Sequence, residues 1–141
     1  MPHSHRELFY HLVWTTKNRY PYISPALRAP LLAHLRKKAA GLGCQVFAAE
    51  CVPDHVHVLL YIPPNLTVAR TVRELKGFSS HELRCICLDF AWQEGYGAHT
   101  LRRSDLRIVQ AYIENQARRH KSPDLLDAGL EDVADTISAR R

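Results

Sequence analysis

The sequence predicts an α+β domain: a ferredoxin-like (RRM-like) split βαβ sandwich, with an antiparallel sheet, helices on one face and a further C-terminal helix. Two observations lead there. Along the 141 residues, strand-like and helix-like periodicities alternate in the order β-α-β-β-α-β-α. The two central strands are separated only by Pro53-Asp54, the spacing of a hairpin, and a βα unit lies on either side of them. Such a sheet keeps its other face available for a ligand or a partner.

Glu7 to Thr16 (ELFYHLVWTT) is aromatic and β-branched and reads as a buried first strand. A basic, proline-bearing loop runs from Lys17 to Pro25. Ser24 is placed to cap a helix with Pro25 at its first position, running to about Ala40 and closed by Gly41 or Gly43. Leu27, Leu31, Leu32 and Leu35 supply its apolar stripe. Gln45 to Val52 and His55 to Ile62 are the hairpin strands, and Pro63-Pro64-Asn65 breaks the second. Thr67 opens a helix expected to continue for about 20 residues to Leu88, with Gly77 as an irregularity. Ala91 to Leu101 reads as a loop leading into a short strand. Ser104 is placed to cap a third helix that ends near Lys121, before Pro123.

Net charge is +5 and is unevenly distributed. Residues 122–141 hold five acids against Arg140 and Arg141, while residues 1–121 hold 17 basic and 9 acidic side chains. We therefore expect a domain over 1–121 and an acidic C-terminal tail over 122–141, with one weak helix near 129–138. A basic body suits a polyanionic partner, although a solvated basic surface fits the charge equally well. No apolar run approaches the roughly 20 residues that span a bilayer, so no membrane partner is expected. MPHSHRELFY has no signal-peptide core, which makes the cytoplasm the expected location and reduced thiols the expected state of the four cysteines.

His55 and His57 in PDHVHVLLYI alternate with Val56, so both imidazoles project from one strand face, about 7 Å apart along the backbone. That arrangement can converge on one divalent cation. Taken alone, two histidines fit a structural pair better than a ligand pair. In the third helix the core stripe is Leu106, Val109, Ile113 and Ala117. Tyr112 and Gln116, four apart, stack beside it at the boundary between core and solvent. A carboxamide oxygen can ligate a hard cation, and a phenol can serve as a nucleophile.

Together these stretches resemble a known pattern. PDHVHVLL resembles the HUH signature (His, bulky hydrophobic, His), and YIENQ resembles the tyrosine motif of the small single-tyrosine HUH transposases. That group moves bacterial insertion sequences as single-stranded DNA and includes the REP-associated tyrosine transposases. YHLVWTTKNR, ELKGFSS and WQEGYGAHTL agree as well, so the resemblance covers residues 8–120. It implies Mg²⁺ or Mn²⁺ held by His55, His57 and Gln116, and Tyr112 as the nucleophile that forms a 5′-phosphotyrosine and frees a 3′-OH. It also implies single-stranded DNA with hairpin ends as partner and a homodimer in which one subunit's tyrosine helix completes the other's site. Gly95 and Gly97 would permit such an exchange. A phenol ordinarily titrates near pH 10, so Tyr112 needs activation that the sequence does not identify. Val52 and His99-Thr100-Leu101 depart from the common family residues without touching a ligand position.

Under that resemblance, Lys17, Asn18 and Arg19 after the first strand, Arg73 and Lys76 on the second helix, and Arg102, Arg103, Arg118 and Arg119 around the third are candidate DNA contacts. Tyr61 and Tyr96 are candidates for stacking on unpaired bases, and Trp92 for core packing. Cys85-x-Cys87 has the wrong spacing for structural zinc and reads as buried small hydrophobes. His3 and His5 repeat the H-x-H form by chance. The residues also admit a non-catalytic nucleic-acid-binding regulator on the same fold, or a metal-dependent phosphoesterase that uses water.

Overall fold

The computed structural model describes residues 8–116. His3, His5, Ala117, Arg118, Arg119 and the acidic tail, with its expected weak helix, lie outside the described residues. The elements are β1 (Phe9–Thr15), α1 (Pro25–Gly41), β2 (Gln45–Val52), β3 (His55–Tyr61), α2 (Val68–Leu83), β4 (Gly97–Leu101) and α3 (Leu106–Glu114). Short 3-10 turns at Lys17–Arg19 and Arg103–Asp105 follow β1 and precede α3. The sheet is antiparallel in the order β2-β3-β1-β4, the expected α+β split βαβ arrangement.

Register assigns the two faces. Val52 pairs with His55 across the two-residue Pro53-Asp54 turn, and Glu50 pairs with His57. On the other side of β3, Thr15 and Val13 oppose His55 and His57. Side chains of directly opposed residues share a face, so the two histidines lie with Thr15, Val13, Glu50 and Leu59. Their intervening neighbours, Leu12, Trp14, Val56, Val58 and Leu60, join Leu27, Leu31, Leu35, Val72 and Leu75 of α1 and α2 in the main core. A slip of one residue would exchange the faces, placing both imidazoles in that core and Val56 and Val58 outside it.

The second face has its own smaller core. Ala48 and Leu59 of the sheet pack with Tyr112 and Ile113 of α3, flanked by Phe47, Leu101, Leu106 and Val109. Thus α1 and α2 cover one side of the sheet, and α3 crosses the side that carries the histidines.

Helix ends follow local chemistry with some departures from expectation. Thr67 Oγ1 accepts from Arg70 N at 3.0 Å and caps α2. Gly43, at φ +87°, closes α1 in the left-handed conformation, with Cys44 N donating to Ala39 O at 2.9 Å. Helix α2 runs unbroken through Gly77 and stops at Leu83, five residues earlier than expected. Cys85 and Cys87 therefore sit in the turns that follow: Cys85 is exposed, and Cys87 is half-buried at the edge of the main core. The expectation of two buried thiols fails for that reason. Ser104 lies inside the 3-10 turn and does not cap α3, which starts at Leu106 and is described to Glu114, while the expected end near Lys121 lies outside the described residues.

Candidate active site

His55 and His57 are both fully buried, under α3 rather than in the main core. Their rings stand 5.1 Å apart, nearly perpendicular at 72°. Each has its Nδ1 engaged by a neighbour. His55 Nδ1 donates to Asp54 Oδ1 at 2.7 Å, and His57 Nδ1 lies 2.9 Å from His11 Nε2. His11 comes from β1, diagonally across from His57, and its ring stacks on it at 25°.

Helix α3 brings the second half. Tyr112 packs edge-on against His57, with ring centroids 6.0 Å apart. Gln116 follows two residues beyond the end of α3. Their relative exposures are 6% and 1%, so both lie deeper than the boundary position expected from the helical spacing. The difference arises because α3 lies flat on β2 and β3, and Ala48 leaves room for it to approach. A single chain thus places its own Tyr112 against its own His57.

Three polar atoms here are buried without a hydrogen bond: His55 Nε2, His57 Nε2 and Gln116 Oε1. Their residues make other contacts. Leaving a buried polar atom unsatisfied costs about 1–3 kcal/mol, and two such nitrogens on one sheet face together with a buried carboxamide oxygen call for a chemical reason. Two imidazole nitrogens and a carboxamide oxygen form a donor set that a divalent cation would satisfy, with the opposite ring nitrogens already held by protein groups. Among the described residues no group of three His, Cys, Asp or Glu could hold a metal, so a third protein ligand beside the two histidines would have to be of another type, as Gln116 is.

Asp54 links the site to the loop after β1. Its Oδ2 accepts from Arg19 Nε at 3.1 Å, while Oδ1 takes the His55 proton. Burial alone would raise the Asp54 pKa, but the hydrogen bond and charge of His55, then those of Arg19, outweigh it and hold the carboxyl below its usual range. Asn18 and Arg19 are both left-handed, at φ 56° and 55°. Each non-glycine residue held there costs on the order of 1 kcal/mol or more, so the surrounding contacts must compel it. At the free edge of β2, the Glu50 carboxylate is buried and accepts from Arg28 Nη2 at 2.5 Å and from Cys51 N at 3.1 Å.

The other basic candidates are dispersed. Lys17 and Asn18 are exposed at the end of the sheet that holds His55. Arg73 is exposed and lines, with Lys76, Glu94 and Tyr96, a shallow cavity of about 450 Å³. Lys76 is half-buried, and its ammonium donates to the carbonyls of Gln93 and Gly95, at 2.5 and 3.1 Å, tying that loop to α2. Arg102 is exposed near Asp105, and the Arg103 guanidinium lies over the Phe9 ring, 5.1 Å from its centroid. Tyr61 and Tyr96 are half-buried. Trp92 packs on Trp14 and Phe90 and donates to Ser79 Oγ, as its core reading required. His11 and Asp54 were missed as site residues. The available signals were the odd-numbered place of His11 in β1 and the carboxylate directly preceding His55.

The family model described as "Transposase IS200 like" matches residues 4–116. The chain belongs to the IS200-like transposase family. The ISDra2 transposase TnpA of Deinococcus radiodurans is 30% identical over 118 residues, covering 78% of this chain and 84% of that protein. The transposase for insertion sequence element IS200 of Salmonella typhimurium is also 30% identical, over 134 residues, covering 89% and 88%. In structure, this IS200-like transposase is similar to a Deinococcus radiodurans chain assigned as a transposase, with a TM-score of 0.66, 28% identity and coverage of 82% and 96%. A REP-associated tyrosine transposase solved bound to a REP hairpin shares the fold, with a TM-score of 0.64 at 20% identity over 85% of this chain and 74% of that one. Among the described residues of this transposase, no helix is long and apolar enough to cross a membrane.

Proposed function

We propose that this transposase cuts and rejoins single-stranded DNA beside hairpin ends through a 5′-phosphotyrosine, with Mn²⁺ or Mg²⁺ held by His55 Nε2, His57 Nε2 and Gln116 Oε1. The observation that carries the reading is that His57, paired on one strand face with His55, packs against Tyr112, while His55 Nε2, His57 Nε2 and Gln116 Oε1 are buried without a hydrogen bond. Two imidazoles in the set weigh toward Mn²⁺ over the harder Mg²⁺. Bound there, the cation supplies charge neutralisation at the non-bridging oxygens of the scissile phosphate.

Tyr112 supplies the nucleophile. Its phenolic oxygen forms a bond to phosphorus as the P–O3′ bond breaks, the phenol loses its proton, and the departing 3′ oxygen takes one up. The phosphodiester energy is kept in the tyrosyl ester, so a second strand's 3′-OH can reverse the step without a nucleotide cofactor. Each chain has one such tyrosine, whereas excising an element needs two cleavages, which favours a homodimer acting on the chromosome in the cytoplasm. The hairpin partner is carried over from the REP-bound neighbour. Exposed Lys17, Asn18, Arg73, Arg102 and Arg103 provide phosphate contacts, as do Arg118 and Arg119 beyond the described residues. Arg19 and Lys76 spend at least part of their donors inside the protein.

The test is the covalent step. Wild type incubated with Mn²⁺ and labelled single-stranded hairpins should give an adduct that survives SDS, and Tyr112→Phe should give none while melting at a similar temperature. An adduct with Tyr112→Phe would remove the assignment of the nucleophile. Release of 5′-phosphate with no adduct would favour hydrolysis by water, and binding without cleavage would favour a regulator.

A further inference from the structure

We infer that Arg19 and Asp54 are positioning residues of the cation site, acting through His55 rather than on DNA. The inference rests on the metal reading above. A histidine presents a lone pair to a cation from one nitrogen only when its proton sits on the other, and a carboxylate at that other nitrogen selects this tautomer and fixes the ring. Asp54 Oδ1 stands 2.7 Å from His55 Nδ1, which places the proton there and leaves Nε2 as the acceptor on the buried side.

Asp54 is itself held at three points. Arg19 Nε donates to Oδ2 at 3.1 Å, so the two carboxylate oxygens are divided between the guanidinium and the imidazole. Its main-chain carbonyl accepts from Thr16 N at 2.9 Å and from Thr16 Oγ1 at 3.2 Å. The Arg19 side chain reaches the carboxylate from a turn built of two consecutive left-handed residues, Asn18 and Arg19. From that turn Arg19 Nε reaches Asp54 with the side chain part-buried, whereas Lys17 and Asn18 stay exposed. Basic character in this loop is therefore divided, with Lys17 available to a phosphate and Arg19 committed to the site.

The test is Mn²⁺ titration calorimetry on the full chain without DNA, beside metal-free melting curves, for wild type, Asp54→Asn, Arg19→Gln, the double variant and His57→Ala. Asp54→Asn should bind Mn²⁺ about 10–100-fold more weakly, the range for lost outer-sphere partners. Arg19→Gln should weaken it by a smaller factor, with Arg19→Lys recovering part of the loss. The double variant should be no weaker than Asp54→Asn alone, because Arg19 acts through Asp54. Additive losses would overturn the relay. So would variants that lower the melting temperature yet bind Mn²⁺ as wild type does, since that is the signature of a structural role alone. If binding survives Asp54→Asn unchanged but is lost in His57→Ala, this inference falls and the metal site stands. If folded wild type binds no Mn²⁺, both fall. Should Asp54→Asn fail to fold, Arg19→Gln against Arg19→Lys decides the matter.

Discussion

His11 Nε2 lies 2.9 Å from Nδ1 of His57, and the two rings stack with centroids 5.1 Å apart. One proton serves that contact. For His57 to present Nε2 to a cation, the proton must sit on its Nδ1, with His11 as the acceptor. His11→Phe keeps the stack and removes the acceptor, so Mn²⁺ affinity should fall roughly 10-fold, the low end for such partners. His11→Gln, which restores an acceptor oxygen, should recover part of it. Calorimetric titration distinguishes this from packing alone, for which His11→Phe would bind as wild type does.

Asp54 gives metal-free stability a defined dependence on pH. Its folded pKa is depressed, so its contribution is complete above the unfolded value near 4 and is lost as pH falls through the lower folded value. Both Asp54 and Arg19 retain more than a quarter of their side-chain exposure, and solvent screening keeps the contribution to about 1 kcal/mol. Asp54→Asn should therefore lower the urea midpoint at pH 7 and barely change it near pH 2. An equal gap at both pH values would contradict the argument.

The cysteines should separate by reactivity. Burial, then the Glu50 charge, pushes the Cys51 thiol up to about 12, and burial also raises Cys44. At pH 8 both are neutral thiols without access, whereas Cys85 is exposed. Iodoacetamide on the native protein should label Cys85 first and Cys87 more slowly, leaving Cys44 and Cys51 until urea is added. Peptide mapping by mass spectrometry reads this directly. Early labelling of Cys51 would mean that the β2 edge opens.

Gly77 offers a stabilising substitution. It lies inside α2, where an added Cβ meets nothing within 4 Å. Gly77→Ala removes unfolded-chain entropy without a clash and should add about 0.5–1 kcal/mol, seen as a higher melting temperature. Gly43→Ala, at φ +87°, should do the opposite.

Much of the fold was legible because it rests on short-range pattern. The alternation of β3 places His55 and His57 together before any partner strand is known, and Thr67 marks its helix by a cap that needs only neighbouring residues. What was not legible is non-local. His11 becomes a site residue only through the β1–β3 register, which sets it diagonally across from His57. The depth of Tyr112 depends on Ala48, small enough on a distant strand to admit the helix. The end of α2 has no glycine or proline to announce it. The chain leaves the helix after Leu83 so that Cys87 and Phe90 can dock on the core, while Ile86 and Leu88 remain exposed.

The depth of Tyr112 bears on timing as well as on chemistry. Under the proposed mechanism, a Tyr112 side chain only 6% exposed must become more accessible before a phosphodiester can reach it. Among the described residues Tyr112 and Ile113 are the buried side chains of this nine-residue helix, and Gln116 just beyond it is buried as well. On that reading the tyrosine is sheltered in the free protein and becomes available only with a strand bound, which limits stray cleavage.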